Sequence, residues 1–358
     1  MRQAARQLRD FHERQRQQSR FTGRADGALV GSKIEPLESV GIYVPGGRAL
    51  YPSSVLMNAL PAAVAGVERI VCVTPPTKSG KLDPAILEAC RIAGVTEIYA
   101  VGGAQAVAAL AYGTESIEPV CKITGPGNAY VAAAKKIVSG DVGIDMIAGP
   151  SEVCVVADET AEPALVAIDL MAQAEHDPLA SCYLVTFSEA YADAVEAAVE
   201  KHLASSTRAE ITTASLADQG LIVVCPDIPS AMEAVNVIAP EHLEIHMDHA
   251  FDLLGMIRNA GAIFLGAWTP EAVGDYVAGP NHTLPTGGTA RYASPLSVDE
   301  FVKKSSVIQY SSAALANDAS AVMTIAEHEG LWAHAKSVEL RCNLMRTGNL
   351  YGIEDADE

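Results

Sequence analysis

Aromatic residues are scarce in this 358-residue chain, 5% against a hydrophobic share of 49%. Much of that share is Ala and Val, which points to a helix-rich α/β protein with ample interior for two domains. A basic surplus is also missing. The net charge is −19, so nothing is available to displace counterions from DNA, RNA or an anionic membrane, and small molecules are the expected partners. No apolar run approaches the roughly 18 residues of a membrane span, and the Arg- and Gln-rich start has no signal-peptide core. The seven cysteines, at 72, 90, 121, 154, 182, 225 and 342, include no C-x-x-C pair and mostly interrupt apolar runs. Buried free thiols in a reducing, cytoplasmic setting are the expectation.

Several motifs are absent as well. Gly80-Lys81 is no P-loop, because Leu82 stands where Ser or Thr is required. His242 and His246 are four apart, but Leu243 follows His242, so the H-E-x-x-H pattern of zinc peptidases fails. Neither glycine-rich turn completes G-x-G-x-x-G.

What is present alternates. Short apolar runs at 40–44, 69–74, 97–101 and 120–124 are separated by helical patterns at about 53–65, 83–93, 104–112 and 128–138. Continuous apolar strands between helices predict a parallel sheet covered on both faces. A second such series runs through 153–156, 182–185, 221–224 and 262–265. From 266 to 297 the chain is rich in Gly, Pro and Thr, a long loop of the kind that carries function. Helices then resume at about 313–329 and 331–345. Ahead of all this, residues 2–20 form a polar helix with six arginines, needing something to pack on. The expected organisation is an N-terminal helix and linker (1–39), two Rossmann-like parallel-sheet domains (40–150 and 151–297) and a C-terminal helical arm (298–358).

Chemistry-bearing residues gather in six places. Pro163 starts a helical run in which Leu165, Ile168, Met171 and Ala172 recur at helical spacing, so Gln173 and His176 share a face near its end. Spacing alone leaves these two as a solvated face or a ligand pair. Glu241-His242 sits at a loop-to-strand junction and suits paired acid/base work. In the strand that follows, Glu244 and His246 point to one side and Leu243 and Ile245 to the other; His246 and His249 read as structural or solvent-facing. Gly274-Asp275-Tyr276 leads to Gly279-Pro280-Asn281-His282, and Glu329 and His334 lie on the late helices. Two imidazoles, an Asp and an amide oxygen form a plausible four-coordinate Zn²⁺ set. Gly102-Gly103-Ala104-Gln105 and Gly125-Pro126-Gly127-Asn128 each follow a strand and open a helix, as tight turns or as phosphate-binding loops.

Taken in order, these stretches resemble histidinol dehydrogenases. The resemblance rests on Val40-Gly-Ile-Tyr-Val-Pro-Gly-Gly47, the turns around Gln105 and Asn128, Ala148-Gly-Pro-Ser-Glu152, and Gln173 to His176. It continues through Ala239-Pro-Glu-His242, Gly274-Asp-Tyr276, Asn281-His-Thr-Leu-Pro-Thr286 and the segment from Ala333-His334 to Arg341. It spans about residues 36 to 345. What it implies is a homodimer that oxidises L-histidinol through L-histidinal to L-histidine with two NAD⁺, the last step of histidine biosynthesis. It implies Gln173, His176, Asp275 and His334 as Zn²⁺ ligands and Tyr43, Gln105 and Asn128 as NAD contacts. Glu241 and His242 would transfer protons. Ser151 and Glu329 would hold the substrate, together with His242 and the four zinc ligands. One carboxylate and three neutral ligands leave the site at net +1, fit to bind a neutral imidazole and a deprotonated amine. In the resemblance the 40–150 domain is the NAD side and the 151–297 domain the zinc side. Residues 1–39 would be a truncated part of the latter, since family members usually carry several tens of residues before the position of Met1. A relative acting on another substrate, such as a sulfopropanediol dehydrogenase, would share zinc and NAD; Glu329 and the 281–291 stretch favour histidinol.

Overall fold

The computed structural model describes residues 1–46 and 50–351; Gly47 and the end of the 298–358 tail lie outside them. Residues 1–16 and 36–302 form one compact unit, and residues 17–35 together with those from 303 onward form a second.

In the first unit, helix α1 (Arg2–Glu13) is followed, after the excursion into the second unit, by two βα series. The second unit's opening strands are β1 (Arg20–Gly23) and β2 (Leu29–Pro36). The first series contains β3 (Ser39–Tyr43), α2 (Pro52–Ala65), β4 (Arg69–Val73), α3 (Pro84–Ala93), β5 (Glu97–Tyr99), α4 (Ala104–Tyr112), β6 (Lys122–Thr124), α5 (Ala129–Val138) and β7 (Gly143–Ile144). Its five strands are parallel, in the order β5-β4-β3-β6-β7. The second series contains β8 (Glu152–Ala157), α6 (Pro163–Ala174), β9 (Ser181–Thr186), α7 (Glu189–Leu203), α8 (Ala209–Gln219), β10 (Gly220–Val224), α9 (Ile228–Ile238), β11 (His242–His246) and β12 (Ala262–Leu265). It makes a second parallel sheet, ordered β10-β9-β8-β11-β12. Each sheet starts in its middle, moves to one edge and then crosses to the other. This leaves a topological switch point between β3 and β6 and another between β8 and β11.

The strands read as apolar runs because both sheet faces are covered. On the second sheet Val153, Val155 and Leu184 join one cluster with α6 and α7, while Cys154, Val156, Leu243 and Ile245 join the opposite one with α9. Helix α1 packs on α2 and α3 through Ala4, Ala5 and Leu8, which supplies the packing partner its polar sequence requires. Helix α6 begins with Pro163 in its first turn, but its buried stripe is Val166, Ala167, Leu170, Met171 and Ala174. Leu165 and Ile168, which recur at helical spacing in the sequence, are 41% and 42% exposed.

The long 266–297 segment contains a short helix, α10 (Glu271–Tyr276). The second unit then resumes with β13 (Val302–Gln309), α11 (Ser312–His328) and α12 (Trp332–Thr347). Its sheet, ordered β1-β2-β13, has a half-buried middle strand between two mostly exposed ones, and their weak apolar character hid them in the sequence. The arm is therefore sheet plus helices rather than helices alone. Among the described residues no helix is long and apolar enough to cross a membrane. All seven cysteines are free; five are buried, Cys121 is exposed and Cys342 is half-buried.

Candidate active site

At the first switch point, β3 ends on Tyr43, which is buried and accepts the Gly103 amide on its hydroxyl at 2.9 Å. Gly125, just past β6, has φ +107°, and an added Cβ would collide with the Tyr43 carbonyl oxygen. Only glycine fits that crossing. Three residues on, Asn128 caps α5 by accepting the Tyr130 and Val131 amides at 3.1 Å each. Gln105 is exposed in the first turn of α4. Both helix N-termini thus open at the carboxyl ends of the strands, where their dipoles favour an anion.

In the second sheet the predicted residues gather at the amino ends of the strands. Glu241 and His242 lead into β11 and are 6% and 4% exposed. The Glu241 carboxylate accepts the Glu152 amide at 2.9 Å and is also hydrogen-bonded by the Ser151 side chain. His242 Nδ1 lies 3.0 Å from the Glu152 carbonyl oxygen. A carbonyl only accepts, so the proton sits on Nδ1 and Nε2 presents its lone pair. That Nε2 is buried without a hydrogen-bond partner and lies 3.9 Å from Asp275 Oδ1. Helix α10 supplies Asp275 and, one turn earlier, Glu271, whose Oε1 is 3.8 Å from His242 Nδ1. The last turn of helix α6 carries the buried Gln173, and the exposed His176 follows in the turn beyond it; ligand atoms of His176, Glu271 and Asp275 lie within 4.8 Å of one another.

Burial dominates the electrostatics. It pushes the Glu241 and Glu271 carboxyls well above the usual carboxylate range, with neighbouring acids adding to the shift. It raises Asp275 to about 6 against the opposing pull of His176, and it lowers His242 to about 3. His282, on the following loop, falls to about 4 for the same reason. Desolvation of this kind is relieved when a cation arrives. Gln173 Oε1 and Glu271 Oε2 are likewise buried without partners. Oxygen and imidazole donors with unspent lone pairs fit a divalent cation. Beside the cluster is an open cavity of about 400 Å³, lined by Leu8, Tyr51, Met57, His176, Tyr276 and Val277 among others.

The first unit brings Glu241, His242, Asp275, His176 and Gln173 to one end of the second sheet, with Ser151 beside Glu241. Tyr43, Gln105 and Asn128 lie at the carboxyl end of the first sheet. Glu329 and His334 belong to the second unit, where both are exposed, Glu329 at the C-terminal end of α11 and His334 near the start of α12.

The histidinol dehydrogenase family model matches residues 1–342. The chain belongs to the histidinol dehydrogenase family. It is 58% identical over 341 residues to the histidinol dehydrogenase of Bacillus subtilis (strain 168), covering 95% of this chain and 80% of that one. The crystal structure of histidinol dehydrogenase from Elizabethkingia anophelis superposes with a TM-score of 0.93 at 39% identity, covering 96% of this chain and 80% of that one. An acetylating aldehyde dehydrogenase from Geobacillus thermoglucosidasius is similar in fold alone, with a TM-score of 0.54 at 15% identity, covering 86% of this chain and 82% of that one.

Within this histidinol dehydrogenase fold, sequence reasoning passed over four acids, of which Glu244 and Glu271 are buried and Glu152 and Asp169 half-buried. Glu152 was visible in the Ala148–152 motif but received no role; its Oε1 accepts the Gly287 amide at 3.1 Å. Glu271 precedes Asp275 by one helical turn, a spacing that signals a shared face once the segment is known to be a helix. Glu244 and Asp169 form a further cluster with His246, which is 2% exposed and so structural rather than solvent-facing. His249 is exposed.

Proposed function

We propose that the chain oxidises L-histidinol through L-histidinal to L-histidine, with Zn²⁺ and NAD⁺ as cofactors, and that two copies share their sites. The observation that carries this reading is His242 Nε2: buried, unpaired, held as a lone-pair donor by the Glu152 carbonyl, and facing Asp275. Such a group takes a proton from a substrate hydroxyl. Burial leaves that Nε2 unprotonated at neutral pH, with its lone pair available to a substrate proton.

Gln173, His176 and Asp275, with His334 of a second copy, would hold Zn²⁺, which supplies a Lewis-acid anchor for the substrate's imidazole and amine. Tyr43, Gln105 and Asn128 would hold NAD⁺, which supplies the hydride acceptor for both oxidations. His242 takes the carbinol proton on Nε2 as the first hydride leaves. Glu241 lies beside it, its carboxyl raised by burial, and would accept a proton from the water that adds to the aldehyde. Ser151 holds Glu241 in place and borders the substrate. Glu329 of the second copy would complete the substrate contacts.

The test is the yield of NADH per L-histidinol with limiting substrate. Two NADH are expected, without accumulation of free aldehyde; a yield of one would overturn the four-electron reading. In the same assay, chains carrying His334→Ala or Glu241→Gln should each be inactive alone. Co-expressed, they should recover up to about a quarter of parental activity, because half the random dimers are mixed and half of their sites are intact. No recovery in proven mixed dimers would place His334 elsewhere.

A further inference from the structure

Behind the residues assigned so far, strand β11 carries a second polar group on the same face. His242, Glu244 and His246 alternate with Leu243 and Ile245, which face the apolar cluster on the other side. Glu244 is fully buried and both of its oxygens are engaged. Oε1 accepts the backbone amide of Glu271 at 2.7 Å, and Oε2 lies 3.0 Å from His246 Nε2. The same Nε2 lies 3.4 Å from Asp169 Oδ2.

Each partner belongs to an element that carries the proposed site. Glu271 is the first residue of α10, whose preceding Pro270 offers no side-chain cap. Glu244 therefore caps from the neighbouring strand the helix that presents Asp275, satisfying an amide that the helix itself leaves unpaired. Asp169 lies on α6, one turn before Gln173 and two before His176. The imidazole of His246, fixed between the two carboxylates, ties α6 to β11. Strand β11 itself carries His242.

We propose that Glu244, His246 and Asp169 are positioning residues that hold α10 and α6 against β11, and thereby set Asp275, Gln173 and His176 at ligand spacing. The inference rests on the cation-site reading above. None of the three residues touches substrate. Their contribution is preorganisation: without the Glu244 cap the first turn of α10 is free to shift, and Asp275 shifts with it. Residues behind metal ligands characteristically change metal affinity by about 10–100-fold when replaced.

The experiment measures Zn²⁺ affinity of the full chain by competition with a chromogenic chelator, alongside thermal unfolding without metal. Glu244→Ala and His246→Asn should each weaken Zn²⁺ binding by about 10–100-fold. Glu244→Gln, which still offers an oxygen to the Glu271 amide, should regain part of the loss made by Glu244→Ala. Asp275→Ala is the control for the site itself. If Asp275→Ala abolishes binding while His246→Asn and the folded Glu244 variants bind as the parent does, the positioning role is overturned, whatever happens to the unfolding temperature. If Asp275→Ala binds Zn²⁺ normally, it is the proposed ligand set that fails. Binding of a second Zn²⁺ that His246→Asn removes would also overturn the inference, by making this cluster a ligand set in its own right.

Discussion

The two parallel sheets of the first unit share one topology and use opposite ends of it. Around β3 and β6 the candidate residues Tyr43, Gln105 and Asn128 lie at the carboxyl ends of the strands, where α4 and α5 begin. Around β8 and β11 the candidates lie at the amino ends, where α6 finishes in Gln173. A helix start carries partial positive charge and a helix end partial negative charge. The same βα unit therefore has one end suited to anions and another suited to cations, in line with the NAD⁺ and Zn²⁺ sides proposed above.

Buried charge differs between the sheets in the same sense. In the first sheet the buried Asp145 is paired with the buried Lys135, and the pair holds both polar groups of Gly125: Asp145 accepts its amide at 2.8 Å and Lys135 donates to its carbonyl at 2.9 Å. In the second sheet Glu241, Glu244 and Glu271 are buried, and among the described residues no lysine or arginine forms an ion pair with them. Balanced charge in the first case fixes a loop. Unbalanced charge in the second leaves a site that gains by binding a cation.

Three measurements sharpen or break this comparison. Lys135→Met should lower the free energy of unfolding in denaturant by about 3–5 kcal/mol, because it strands the Asp145 carboxylate in the interior. A cost under about 1 kcal/mol would show that the pair is not a structural charge balance. Glu241→Gln should do the reverse: it loses about 10²–10⁴-fold in turnover as a proton-transfer group, while the amide of equal shape leaves unfolding nearly unchanged. A stability loss as large as that of Lys135→Met would erase the distinction between the two sheets. The smallest effect concerns Asp169, whose carboxyl is pushed up from its ordinary 3.8 to about 7, first by burial and then by Glu244. The folded chain thus holds that proton more tightly than the unfolded chain does. Ionisation works against the fold above pH 7, and the cost is relieved as pH falls through 7 toward 3.8. Asp169→Asn should therefore stabilise the metal-free chain near about pH 8 and lose that advantage near about pH 5. The same difference at both values would place the Asp169 proton elsewhere.

Much of the architecture was legible because burial on both faces leaves an unmistakable mark. Strands such as Val153-Cys154-Val155-Val156 are apolar without alternation, and helix α6 begins at Pro163 as its place in the pattern predicts. The order of the chemical residues was legible too, because the resemblance preserves order. The strands β1, β2 and β13, exposed or half-buried, were not, since a surface sheet need not repeat apolar residues.

By itself, then, the sequence determined the βα alternation, the place of Gln173 in the last turn of a helix with His176 just past it, and the side of β11 on which Glu244 and His246 fall. Those are properties of local period. Only the tertiary structure decided which stripe of α6 is buried, since Leu165 and Ile168 are as apolar as Val166 and Leu170 and covering helices alone choose between them. It alone brought Glu271 and Asp169 to β11, and it alone shifted the proton affinities of Glu241 and His242. These depend on what lies across space from a residue, and desolvation is set by that surrounding rather than by neighbours in the chain.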